Sequence, residues 1–182
     1  MQEQVRLATP DDEQECTKLL SMLHAEGGLM PLDMPSAQEM FGRAFHRRGA
    51  ILGVIGEPGD IKAMIFLLIS KFWYTSQFHL EELFNFIRPD ARKSDYASRM
   101  IDFAKKCADE TKLPLVIGVL TNSRMEGKVR LYRRKLGYPA GAFFVHNAQW
   151  RTAEDYNEDF WKGPFPSRVK PNGNGKVTDH VR

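Results

Sequence analysis

The chain has 182 residues, 42% of them hydrophobic, and carries a net charge of +3 from 26 basic and 23 acidic side chains. That length suits one domain with a core of its own, and the composition excludes a disordered or fibrous chain. The two cysteines, Cys16 and Cys107, form no CxxC pair or Cys/His cluster, which argues against a metal site, and a charge of +3 is no nucleic-acid footprint by itself.

The opening MQEQVRLATPDDEQ is polar and lacks the apolar centre of a signal peptide. The most apolar run, Ala63–Ser70, is too short to cross a bilayer. The expected compartment is the cytoplasm, with no membrane association. Each cysteine falls within a helical pattern, where it serves as a small buried hydrophobe.

Val5–Ala8 predicts a short strand. Thr9 then caps a helix with Pro10 at its first position, where a missing N–H costs nothing. Cys16, Leu19, Leu20 and Leu23 recur at helical spacing, and Gly27-Gly28 ends the run. Ser36 with Glu39 forms a capping-box pattern opening a second helix, which carries Met40, Phe41, Ala44 and Phe45 and closes at Gly49.

Three strands follow. Ala50–Ile55 and Ile61–Lys71 flank the turn Glu57-Pro58-Gly59-Asp60 and predict a hairpin. After a loop with Trp73 and Tyr74 comes Phe78–Ile87, stopped by Pro89. A helix from about Asp95 to Thr111 puts Ala97, Met100, Ile101, Ala104, Cys107 and Ala108 on one face. Leu113–Leu120 is a buried strand. Ser123 and Glu126 cap a helix that runs to Leu136, with Gly137 at its end. Ala142–His146 predicts a last strand.

The domain is expected to span residues 1–150. Residues 151–182 read as a C-terminal extension, partly extended or disordered, although Trp161 and Phe165 suit docking onto the domain or a partner. The element order predicts an α/β (α+β) mixed sheet with helices on both faces. Phe78–Ile87, its helix and Leu113–Leu120 form a right-handed parallel βαβ unit.

The junction Ile87-Arg88-Pro89-Asp90-Ala91-Arg92-Lys93-Ser94-Asp95-Tyr96-Ala97 leads from a strand into a helix N-terminus. Free backbone N–H groups, the dipole, Arg92, Lys93 and the Ser94 hydroxyl together suit a phosphate or pyrophosphate, or simply a capped helix with solvated cations.

Four segments, in order, resemble the GNAT superfamily of N-acetyltransferases. Val5-Arg6-Leu7-Ala8-Thr9-Pro10-Asp11-Asp12 is similar to the family's opening, and Leu80–Ile87 with Arg88-Pro89 to its fourth strand. Arg92 to Ala97 stands at its pyrophosphate loop, Q/R-x-x-G-x-G/A. Asn122 and Leu131-Tyr132-Arg133-Arg134-Lys135-Leu136-Gly137-Tyr138 are similar to its "N…LYxKLGF" segment. The chain departs from the loop pattern at Asp95, which replaces the central glycine. A carboxylate there disfavours a phosphate unless it caps the helix and faces outward.

The resemblance implies a mixed, mostly antiparallel sheet and transfer of an acetyl or acyl group from acetyl-coenzyme A to an amine by direct attack, with no metal. It places coenzyme A against Phe86, Ile87, Arg92, Lys93, Ser94, Asp95, Tyr96, Ala97 and Asn122. It makes Tyr132 the acid for the leaving thiolate; the other reading of Tyr132 is a core aromatic beside Met125, Val129 and Leu136. The base is Glu82 or Glu81, which as strand neighbours point to opposite faces, so at most one faces the site. Trp73 and Tyr74 are candidates for the acceptor side.

The acceptor is a small molecule, a protein amine or a modified nucleobase, and a homodimer is a fair expectation. The alternative is a weak or inactive GNAT-fold module that binds coenzyme A, a protein partner or nucleic acid. In the last case Lys162, Arg168, Lys170, Lys176 and Arg182 of the extension would supply the cations.

Overall fold

A computed structural model describes residues 3–28, 30–120 and 124–141. Asn122, Ser123, Ala142–His146 and the extension from residue 151 lie outside the described residues.

Five strands form one sheet in sequence order: β1 (Arg6–Leu7), β2 (Ala50–Ile55), β3 (Ala63–Ser70), β4 (His79–Ile87) and β5 (Leu115–Ile117). Neighbours are antiparallel except β4 and β5, which are parallel. The crossover between those two is α3 (Tyr96–Thr111), as the expected βαβ unit requires. The other helices are α1 (Glu13–Gly27), α2 (Met34–Phe45) and α4 (Met125–Leu136).

The sheet is covered on both faces. Leu19 of α1 and Phe41 and Ala44 of α2 bury against Leu52, Val54, Met64, Phe66 and Phe86. On the opposite face Met100, Ala104 and Cys107 of α3 bury against Ile55, Ile65, Leu67 and Leu80. Each fully buried large side chain contributes about 1.5–3 kcal/mol on leaving water, so these two clusters carry the fold. Burial raises the Cys16 thiol to about 12 and the Cys107 thiol to about 11, so both pack as neutral hydrophobes.

Local signals set most boundaries, and of those that differ from expectation three have a visible cause. Pro10–Asp12 forms a 3-10 turn before α1 instead of the first turn of that helix. Asp12 is fully buried there, bonded by both terminal guanidinium nitrogens of Arg6 at 2.7 Å and by the Thr9 N–H at 2.9 Å. The α2 helix starts at Met34, ahead of Ser36, because Asp33 takes the N-cap and Pro35 presets the first turn. The Ser36 hydroxyl bonds the Asp33 carboxylate at 2.6 Å.

The third difference is β5, which pairs over three residues instead of the eight of Leu113–Leu120. The cause lies in its neighbour. Between β3 and β4 the register jumps from Phe66↔Phe84 to Leu67↔Glu82, leaving Leu83 unopposed. Such a bulge bends its strand, and β4 leaves β5 after the Glu82↔Ile117 pair.

Candidate active site at the β4 bulge

The bulge also exchanges the faces of β4. Leu80 packs with the α3 cluster, whereas Phe84 and Phe86 pack with α1 and α2. Asn85 is then turned to the α3 side, and its Nδ2 donates to the Ala97 carbonyl at 3.4 Å. Its Oδ1 is buried without a partner among the described residues. Past Glu82, no strand among the described residues pairs with this edge of β4.

α4 lies beside α3, tied by Lys135 to Asp102 at 2.7 Å. It brings Lys128, Leu131 and Tyr132 to the opening beside β4. Lys128 and Tyr132 are one turn apart and so share a helix face. The Tyr132 hydroxyl donates to the two Glu82 carboxylate oxygens at 3.3 and 3.4 Å.

Glu82 is only 7% exposed. Burial pushes its carboxyl up to about 8, against the opposing pull of the Lys128 charge and the Tyr132 bond. Burial, and then the charge of Glu82, hold the Tyr132 phenol well above its ordinary value. Burial lowers Lys128, against the nearby carboxylates of Glu82 and Glu26. The site therefore holds a carboxyl that titrates near physiological pH next to a phenol that keeps its proton, an arrangement suited to proton transfer.

Two cavities meet here. The smaller, about 220 Å³, is lined by Asn85, Phe86 and Ile87 of β4, by Arg92, Ser94 and Ala97, by Leu23 and Glu26 of α1, and by Arg124, Lys128 and Tyr132. The larger, about 470 Å³, runs from Glu81 and Glu82 past Leu20, Leu23 and His24 to residues 116–120. Leu23, Asn85, Lys128 and Tyr132 line both.

The expected cofactor residues divide between this opening and the outer surface. Phe86, Ile87, Arg92, Ser94 and Ala97 line the smaller cavity. Lys93 is exposed and outside its lining. Asp95 takes the N-cap position of α3 and faces Arg99 at 3.8 Å, outward and away from the cavity. Tyr96 turns to the N-terminal segment, where its hydroxyl donates to Glu3 at 2.6 Å.

Glu81 and Glu82 do point to opposite faces, since Glu81 stands beside Leu68 and Glu82 beside Leu67, yet both line the larger cavity, against the expectation that at most one would face the site. Trp73, 95% exposed, and Tyr74 line neither cavity. Among the described residues, no group of three or more His, Cys, Asp or Glu side chains could hold a metal, and no helix is long and apolar enough to cross a membrane.

No family model matches the sequence, and no curated protein does either. Solved structures do match its fold. A ribosomal-protein-alanine N-acetyltransferase from Brucella melitensis superposes with a TM-score of 0.63 at 16% identity, covering 80% of this chain and 99% of that one. A predicted acetyltransferase from Clostridium acetobutylicum, solved with acetyl-CoA, gives 0.64 at 14% identity, covering 80% and 96%. A GNAT family acetyltransferase from Staphylococcus aureus gives 0.56 at 13% identity, covering 80% and 99%.

The chain has the GNAT fold.

Within this GNAT fold, several residues at the opening carried no functional expectation. Lys128 was detectable as the residue one turn before Tyr132, and Asn85 as a polar residue in an apolar strand. Glu26 has no sequence signal, because its partner Arg92 is 66 positions away.

Proposed function

We propose that this protein is an N-acetyltransferase that moves an acetyl or acyl group from coenzyme A to an amine by direct attack. The observation that carries the reading is the Glu82–Tyr132 pair, set where the two cavities join. The shared fold with acetyltransferases supports it.

The smaller cavity fits coenzyme A chemically. Arg92, Arg124 and Lys128 suit a polyanion, and Asn85 Oδ1, without a partner among the described residues, suits an amide N–H donor. Phe86, Ile87, Arg92, Ser94 and Ala97 would hold it, together with Asn122. Lys93, Asp95 and Tyr96 would contribute backbone at most. When bound, acetyl-coenzyme A supplies a thioester carbonyl as the acyl source.

In the larger cavity an amine meets a carboxylate, Glu82, whose raised affinity for a proton makes it a base matched to amines. Glu82 takes the proton that the amine loses as the new C–N bond forms. Tyr132 gives its proton to the departing sulfur as the C–S bond breaks. The Tyr132–Glu82 hydrogen bond then returns the proton from Glu82 to Tyr132, so the cycle balances. Glu81, on the other face and in the same cavity, is placed to attract the acceptor's charge.

The acceptor is an amine of a small molecule, a protein or a modified nucleobase, and the compartment is cytoplasmic. The test is a thermal shift with acetyl-coenzyme A, followed by an amine screen read as free thiol. A melting temperature unmoved at saturating ligand would end the donor-site reading.

A further inference from the structure

The Arg92 guanidinium is fixed from two sides. Its Nε donates to the Ile87 carbonyl at 3.1 Å, and its centre sits 5.5 Å from the middle of the Phe86 ring. One of its two terminal nitrogens, Nη2, is directed at Glu26 and donates to Oε1 at 2.5 Å. Glu26 belongs to the last turn of α1, ahead of the pair Gly27-Gly28.

A carboxylate at a helix C-terminus is disfavoured by the helix dipole, and the Arg92 cation offsets that. Both Glu26 and Arg92 line the smaller cavity, along with Arg124 and Lys128, and among the described residues Glu26 is the only carboxylate in that lining. The charge of Glu26 also reaches Lys128.

We infer that Glu26 occupies, as a carboxylate, the anion subsite at Arg92 that a ligand's phosphate would otherwise take, so that a polyanion enters this cavity by displacing it. The inference rests on reading the cavity as a phosphate-ligand site, as proposed above. The geometry supports displacement over a fixed strap. Arg92 keeps its backbone and ring contacts when Glu26 leaves, and Gly27-Gly28 permits the last turn of α1 to move. The Glu26 and Arg92 side chains are one-third and one-fifth exposed, so water already reaches the pair.

The experiment is calorimetric titration of the full chain with two probes, inorganic pyrophosphate and coenzyme A. It compares wild type, Glu26→Gln, Arg92→Gln and the double variant at fixed ionic strength. Glu26→Gln should bind both probes about five- to tenfold more tightly, the size of one screened charge contact. In the Arg92→Gln background the same change should gain much less.

Equal or weaker binding of pyrophosphate by a folded Glu26→Gln protein overturns the inference. Coenzyme A bound equally by wild type and Glu26→Gln also overturns it, while leaving the acetyltransferase proposal intact. Tighter pyrophosphate binding without any coenzyme A binding keeps the inference and ends that proposal. No binding of either probe to any variant ends both. Should Glu26→Gln melt early, Glu26→Ser provides the same comparison.

Discussion

The Tyr132 hydroxyl and the Glu82 carboxylate, 50 positions apart in sequence, meet at 3.3 Å inside the opening between β4 and β5. A phenol placed there has two effects: it supplies a proton, and it stabilises the charged form of its neighbour.

Tyr132→Phe removes both effects while preserving the ring. Turnover should fall by about 10²-fold or more, the usual worth of a positioned acid. Coenzyme A affinity should change little, which steady-state kinetics with a direct binding titration will separate. Loss of the hydroxyl also removes a contact that lowers the Glu82 carboxyl, so any residual activity should need a higher pH.

Glu82 gives the pH dependence its sign. Its carboxyl loses the proton near 8, so kcat/KM should climb as pH rises through about 8. Glu82→Gln should abolish that limb and cost about 10²–10⁴-fold in rate. Stability moves in the opposite direction. A carboxyl raised by folding binds its proton more tightly in the native state. It contributes stability that is complete below the ordinary carboxylate range, 4.5, and lost as pH climbs to about 8. Denaturant melts across that window should show the decline in wild type and a flatter profile in Glu82→Gln.

The Arg6–Asp12 pair closes the first β–α junction, with Asp12 fully buried. Burial pushes the Asp12 carboxyl up, but the bonds from Arg6 and Thr9 outweigh it and hold the group below its ordinary value. Arg6→Met strands that charge and should destabilise the protein by about 3 kcal/mol, measured by denaturant unfolding. The stability that Asp12 supplies is present above its unfolded value of 3.8 and is lost as pH falls below it. Arg6→Met should therefore melt less steeply with acid than wild type.

Gly56 closes the β2–β3 hairpin with φ of +115°, and a Cβ there would lie 2.2 Å from the Asp60 carbonyl oxygen. Gly56→Ala combines an unfavourable backbone region, at about 1–3 kcal/mol, with a clash against backbone that cannot rotate aside. A fall in melting temperature larger than that of Gly59→Ala, which meets open space, checks it.

Most of the sheet was legible. β2 begins and ends at the residues that the turn signal and apolar run predicted, because its pattern and its burial coincide. The central helix α3 followed from its single apolar face. β5 was over-extended in prediction, since apolar character alone cannot reveal that a bulge in the adjacent strand ends the pairing. The Arg92-to-Ala97 segment was legible by composition as a cation-bearing junction between a strand and a helix, but not in which side chains turn inward. Asp95 faces outward towards Arg99, whereas Tyr96 packs on the α3-side core and its hydroxyl is taken by Glu3.

What the sequence by itself determined was the order of elements and the two-faced burial, which follow from local periodicity and capping. It also carried the candidate phenol and the paired glutamates. Only the tertiary structure decided that Glu82 meets Tyr132 while Glu81 takes the other face, and that Glu26 faces Arg92. Those are long-range pairings, fixed by a bulge at Leu83 and by the packing of α4 beside α3, and no window of local sequence contains both partners.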